Sequence, residues 1–278
     1  QCESHTIENR FLCANQEFMT QHFMSHNLLA HARNTNLEPN YDVFVRNPVQ
    51  NNQLLDDDFF EIYQFFVSNL LQGANKLRNK DTPLQLPIIP EKTVIKLCTW
   101  ITTIFLSEPI ILRLTDSFIV VGDIHGHIMD LIRILKRFGV PPKTRYLFLG
   151  DLVDRGEFSL ETVIFIYILK VLFPNDVFII RGNHEFEEIC STSSFIYEIT
   201  STYKSDELFQ YFINTFDYMP LAAIINDKIF CLHAGIGPNF HSIRDIIHNP
   251  AFPTRPIHNF SNDIITSMVW SDPSDESF

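Results

Sequence analysis

Apolar and polar positions follow two rhythms along this chain. From Asp56, three consecutive aspartates at a helix start precede Phe59, Ile62, Phe66 and Leu70, an apolar row at helical spacing, which predicts a helix reaching about Leu77. Three prolines between Lys80 and Pro90 mark a connector. Val94, Leu97, Cys98, Ile101, Ile104 and Phe105 then predict a second helix that ends before Pro109. Further on, the apolar runs Phe118 to Val121, Tyr146 to Leu149 and Val177 to Ile180 alternate with helical patterns near Met129 to Phe138 and Leu160 to Leu172. This is a β-α-β-α-β order and predicts an α/β fold. Ala222 to Ile225 and Ile229 to Leu232, separated by Asn226-Asp227-Lys228, predict a hairpin.

Residues 1 to about 53 break these rhythms. They hold nine Asn, five Gln and four of the eleven His among short apolar islands, the composition of a poorly ordered polar extension. The expected division is an extension over 1–53 and a single folded domain over 54–278.

Polar residues gather at the strand ends. The three β-α strands run into Gly122-Asp123-Ile124-His125-Gly126, Gly150-Asp151-Leu152-Val153-Asp154-Arg155-Gly156 and Gly182-Asn183-His184-Glu185, and the second hairpin strand runs into His233-Ala234-Gly235. Asp123 and Asp151 lie 28 positions apart, and Asp151 and Asn183 lie 32 apart. That suits successive β-α-β units of about 30 residues, so the three side chains should emerge side by side at the carboxyl edge of one sheet, where open α/β sheets bind ligands. Two carboxylates and several imidazoles brought together there need positive charge between them. Asp123, His125, Asp151, Asn183 and His233 form a mixed oxygen and nitrogen set suited to two divalent ions of manganese, iron or zinc, with Asp151 as the natural bridge. Each block alone also has a plainer reading: a strand-end turn with a capping Asp for G-D-x-H-G, a turn for G-N-H-E, and a surface ion pair for Asp154-Arg155. Their ordered combination is the specific signal.

Composition narrows the function classes. The 278 residues carry 21 Lys and Arg against 33 Asp and Glu, a formal net charge of −12. That leaves no basic stripe for nucleic acid. Five well-separated cysteines form no C-x-x-C pair, which favours a reduced setting inside the cell. No apolar stretch approaches the roughly 20 residues that span a bilayer. The chain opens at Gln1 without a signal-peptide pattern and stops at Phe278 soon after an Asp-Pro turn, as an incomplete chain would.

From about Asp56 to Pro273 the sequence resembles the metal-dependent phosphoprotein serine/threonine phosphatases, of the calcineurin-like metallophosphoesterase superfamily. The blocks that carry the likeness are G-D-x-H-G, G-D-x-V-D-R-G, G-N-H-E, H-x-G and W-S-D-P, the last at Trp270-Ser271-Asp272-Pro273. The resemblance implies a two-sheet metallophosphoesterase sandwich (αββα) with flanking helices, here without the C-terminal strands. It implies that Asp123 and His125 hold one ion, Asp151 bridges, and Asn183 with His233 hold the second. His184 would be the general acid that protonates the departing serine or threonine oxygen, Asp154 would orient it, and Arg155 would clamp phosphate oxygens. Hydrolysis would proceed by direct attack of a dimetal-activated water on phosphoserine or phosphothreonine monoesters.

The implied partners are phosphoprotein substrates and regulatory subunits, with neither nucleic acid nor membrane, in a cytoplasmic setting with which a nuclear one is compatible. Family blocks that follow W-S-D-P do not occur in this sequence, so the second ion is expected to have three protein ligands and the activity of this length of chain to suffer. Inside the blocks, His127, Leu152 and Ala234-Gly235-Ile236-Gly237 depart from the usual residues. His241, His248 and His258 match no ligand block and are expected to be solvated loop histidines. Two rival functions stand beside this one: a metallophosphoesterase acting on nucleotides or phosphodiesters, and a catalytically silent binding module on the same fold.

Overall fold

The computed structural model describes residues 57–71, 86–249 and 252–272; the expected polar extension lies outside them. The first predicted helix is α1 (Asp57–Phe65), which continues as a π-helical turn over Phe66–Leu71, and its expected last residues to Leu77 also lie outside. Helix α2 (Glu91–Ser107) begins directly after Pro90, whose carbonyl accepts from Thr93 and Val94. It stops before Pro109, with the Glu108 amide donating back to Ile104 and Phe105.

The predicted β-α-β-α-β order is present. Strands β2 (Ile119–Val121), β3 (Tyr146–Phe148) and β4 (Val177–Ile179) form one parallel sheet in sequence order, joined by α3 (Ile128–Phe138) and α4 (Ser159–Leu172). The second sheet takes the order β1 (Ile111–Leu114), β5 (Ala222–Ile225), β6 (Ile229–Cys231), with β1 parallel to β5 and the predicted hairpin β5–β6 antiparallel. Between β4 and β5 run α5 (Glu187–Cys190), α6 (Ser194–Tyr203) and α7 (Asp206–Phe216); α8 (Arg244–Ile247) and α9 (Asp263–Trp270) follow the hairpin.

Three apolar clusters define the layers. One, containing Leu112, Leu114, Leu147, Ile180, Ala223, Ile225 and Cys231, draws on both sheets and fills the space between them. Tyr146, Phe148, Val177 and Ile179 point the opposite way, into a core shared with α1, α2, α3, α4, α6 and α7. Ala222 and Ile224 point into the third, closed by Ile264, Ile265, Met268 and Val269 of α9. Neighbouring residues of β3, β4 and β5 alternate between cores, as a pleated strand buried on both faces requires. The result is the expected helix, sheet, sheet, helix sandwich.

Helix α4 is the central pillar. Leu160 and the unbroken run from Thr162 to Lys170 are buried, because α4 contacts α1, α2, α3 and α6 around its circumference. Lys170 is consequently buried in full and pairs with Glu108. Burial pushes the Glu108 carboxyl up, while Lys170 pulls it back. A buried pair is costly to break and cheap to replace. Lys170→Met alone should therefore cost about 3–5 kcal/mol, and Lys170→Met with Glu108→Leu should recover most of that loss, both read from chemical denaturation midpoints.

Candidate metal centre

The three parallel strands release their chains at one edge, and main-chain bonds join the resulting loops. The amides of Ile124 and His125 both donate to the Asp151 carbonyl, at 3.0 and 2.8 Å, and the Gly126 amide donates to Leu152 at 2.9 Å. This tight path puts four residues other than glycine in the left-handed region: His125 (φ 45°), Asp151 (50°), Asp154 (68°) and Arg155 (67°). Such strain persists where surrounding contacts over-determine it, and it clusters at functional sites. Gly150 (φ 96°) has no alternative, because a Cβ there would stand 2.1 Å from the Gly182 amide nitrogen.

One buried carboxylate binds two of these loops together. Glu185 Oε2 accepts from the amides of Asp151 (2.8 Å) and Gly182 (2.9 Å), and Oε1 accepts from Leu152 (2.7 Å). Burial and the neighbouring Asp151 push the Glu185 carboxyl up, and the amides it accepts from pull it down. No role was expected of Glu185 or of Arg181 behind it. For Glu185 the available signal was its place in the G-N-H-E block: a carboxylate three residues past Gly182 at a strand end can reach back to free amides.

Above this scaffold the five predicted ligands converge. Asp151, 3% exposed, has Oδ2 at 3.3 Å from His125 Nε2 and Oδ1 at 3.5 Å from His233 Nε2. Asp123, half exposed, reaches both sides, with Oδ2 at 3.8 Å from His125 Nε2 and Oδ1 at 3.9 Å from His233 Nδ1. Asn183 Oδ1 lies 2.9 Å from His233 Nε2. Asp151 belongs to both compact donor groups, one with His125 and His184 and the other with Asp123 and His233.

Protonation decides what this arrangement can hold. His125 Nδ1 donates to the Val153 carbonyl at 2.7 Å and His233 Nδ1 to the Leu149 carbonyl at 2.9 Å, which leaves the neutral rings with Nε2 lone pairs aimed at the carboxylates. His125 Nε2 is buried without a hydrogen-bond partner, and Asn183 Oδ1 faces only acceptors. A divalent cation relieves such acceptor-against-acceptor contacts, and the oxygen and imidazole donors fit one. Burial pulls the His125 pKa down, but Asp151 and the Val153 carbonyl outweigh it; burial raises Asp151, and His125 foremost lowers it on balance.

The third histidine is tied differently. His184 Nδ1 donates to Asp154 Oδ2 at 2.7 Å, and Asp154 Oδ1 accepts from the Phe195 amide at 2.9 Å. His184 Nε2 faces the exposed Arg155, whose Nη2 lies 3.3 Å away. All eight predicted site residues therefore meet at one edge. His258 is the exposed loop histidine expected, and it has a partner no local pattern shows: its Nδ1 donates to Asp217 Oδ2 at 2.6 Å.

Residues 117–277 match the calcineurin-like phosphoesterase family, and the chain belongs to it. It is 40% identical over 187 residues to the serine/threonine-protein phosphatase PP2A-like PPG1 of Candida albicans, an alignment that covers 67% of this chain and 44% of that protein. The chain thus spans less than half the length of this relative. A solved protein serine/threonine phosphatase from Saccharomyces cerevisiae, with similarity to human phosphatase PP5, matches with a TM-score of 0.65 and 29% identity, over 79% of this chain and 67% of that one. Within the family, the likeness is to the phosphoprotein serine/threonine phosphatases.

Replacing Glu185 by Gln turns one acceptor oxygen into a donor facing main-chain N–H groups. It should cost about 1–3 kcal/mol in thermal or denaturant unfolding and weaken Mn²⁺ binding about 10- to 100-fold in metal titrations.

Proposed function

We propose that this chain is the catalytic part of a metal-dependent protein serine/threonine phosphatase that hydrolyses phosphoserine and phosphothreonine monoesters. The observation that carries the reading is the convergence of Asp123, His125, Asp151, Asn183 and His233 beside a separate His184–Asp154 pair. The catalytic domain is taken to run from about 54 to 278, with 1–53 as an extension.

Asp123 and His125 would hold one divalent cation and Asn183 and His233 the other, with Asp151 shared between them. When bound, the two cations, of manganese, iron or zinc, supply Lewis-acid stabilisation of phosphate charge and a water acidic enough to attack phosphorus. The chain's own groups do the rest. Asp154 takes the Nδ1 proton of His184 in a hydrogen bond and so fixes the ring with Nε2 toward the open side. When the ring carries a second proton, on Nε2, it passes that proton to the departing serine or threonine oxygen, which leaves poorly as an alkoxide, and returns to the neutral form with Nδ1–H on Asp154. Arg155, exposed beside that nitrogen, offers a planar fork to two phosphate oxygens.

Phosphoprotein substrates and regulatory subunits are the proposed partners, in an intracellular setting. The buried thiols of Cys98, Cys190 and Cys231 are free, which supports that setting. No helix among the described residues is long and apolar enough to cross a membrane.

Mn²⁺-supported hydrolysis of a phosphothreonine peptide by the wild type should disappear in Asp123→Asn and Asp151→Asn; preference for a dinucleotide over the phosphopeptide, or turnover indifferent to metal, would overturn the assignment. Substituting His184 by Asn should slow the phosphothreonine peptide by about 10²- to 10⁴-fold. It should slow p-nitrophenyl phosphate far less, because the aryl oxide leaves without protonation. Comparing kcat for the two substrates measures the difference.

A further inference from the structure

Behind the metal-ligand loops lies a second set of charged side chains that the proposed chemistry does not use. Arg181 is 0% exposed, yet it has a partner on every side. Its Nε and Nη2 donate to the Glu185 carbonyl at 3.1 and 2.9 Å, its Nη1 donates to the Ile257 carbonyl at 2.5 Å, and its Nη2 meets Asp217 Oδ1 at 3.0 Å. The guanidinium lies over the Phe186 ring, 3.6 Å from its centroid. Asp217, 3% exposed, gives its other oxygen to His258 Nδ1, whose side chain is 57% exposed. The Asp217 carbonyl accepts from the Ile257 amide at 2.9 Å, so residues 257 and 258 are bound to Asp217 by main chain and side chain together.

Arg181 and Asp217 form a buried ion pair. A pair of apolar residues would fill the same space at no greater cost. What the charged pair adds is direction: a planar fork held by three oxygen partners has one allowed position. Two prongs of that fork hold the Glu185 carbonyl, and the Glu185 side chain leaves from the same residue to hold the amides of Asp151, Leu152 and Gly182.

We propose that Arg181, Asp217 and His258 are positioning residues for the metal-ligand turn, acting through Glu185 to fix where Asp151 stands. The sequence of contacts runs from a surface imidazole, through a buried carboxylate and a buried guanidinium, to the residue under the bridging ligand. None of the three touches Asp123, His125, Asp151, Asn183 or His233 in the contacts described. The part of the inference that concerns metal rests on the phosphatase reading; the part that concerns the turn does not.

The test uses the full chain and two readouts, amide hydrogen exchange and Mn²⁺ titration. Asp217→Asn removes the counter-charge at nearly constant shape. His258→Ala removes the surface contact alone and guards against a variant that does not fold. Exchange at the amides of Asp151, Leu152 and Gly182 should quicken about tenfold in Asp217→Asn and by a smaller factor in His258→Ala, with the amides of Val163 to Ile168 in α4 unchanged. The Mn²⁺ dissociation constant should rise about 10- to 100-fold in Asp217→Asn. His258→Asn, whose side-chain nitrogen can donate from the place of imidazole Nδ1, should return both readouts toward the wild type. Unchanged exchange at the three loop amides, or equal quickening in α4, overturns the proposal. Wild-type protein that binds no Mn²⁺ overturns the phosphatase reading instead, and the exchange pattern still decides the role of the three residues.

Discussion

Too many lone pairs point at one place, and this single constraint organises the site. Asp151 presents one oxygen to the His125 ring and the other to the His233 ring, in a buried setting where an uncompensated carboxylate is costly. Each ring has already spent its Nδ1 proton on a main-chain carbonyl, at Val153 or Leu149, so neither can donate to the carboxylate as a neutral group. The Asn183 amide shows the same pressure. With its oxygen inward it faces only acceptors, and turned over it would donate to both Asp151 oxygens and to His233 Nε2.

The fold imposes this crowding through topology. Three parallel strands in sequence order release Asp123, Asp151 and Asn183 at adjacent points of one edge, and the antiparallel hairpin of the second sheet brings His233 across to them. Neither sheet alone supplies both ends of the donor set. The two are held at one distance by a shared apolar layer to which β1, β3, β5 and β6 each contribute. Packing between the sheets and ligand geometry are therefore one problem, because interiors are close-packed and transmit displacement.

Much of this was legible beforehand, and the reasons are specific. The strand ends were visible because apolar runs stop at Gly-Asp and Gly-Asn pairs, and their spacing matched β-α-β units. Every ligand expected from that pattern lies in the cluster. Strand β1 was not visible: it follows Pro109 directly, and Ile111, Leu112 and Leu114 are buried toward two different cores, so no period-2 signal survives. Helix α7 did carry a signal, with Ser205 accepting from the Leu208 amide ahead of Leu208, Phe209, Phe212 and Phe216 at helical spacing, but it lies between the motif blocks rather than in one. The partner of the exposed His258 was not visible because Asp217 lies 41 positions away, beyond the reach of any local pattern. Arg181 and Glu185 lay inside a recognised block, yet burial and carbonyl partners are properties of the folded chain.

The three histidines of the site differ in the partner of Nδ1. His125 and His233 donate to main-chain carbonyls, which fixes the tautomer and leaves a neutral nitrogen suited to a cation. His184 donates to the carboxylate of Asp154, so its ring has a counter-charge at hand when it carries a second proton, the condition a proton donor needs. Asp154 is itself kept in place by the Phe195 amide at the start of α6 and by a left-handed backbone beside Arg155. The segment after Glu185 thereby supports a residue of the site. The first turn of α6 holds the Asp154 carboxylate that sets the His184 ring apart from that of His125, 4.7 Å away.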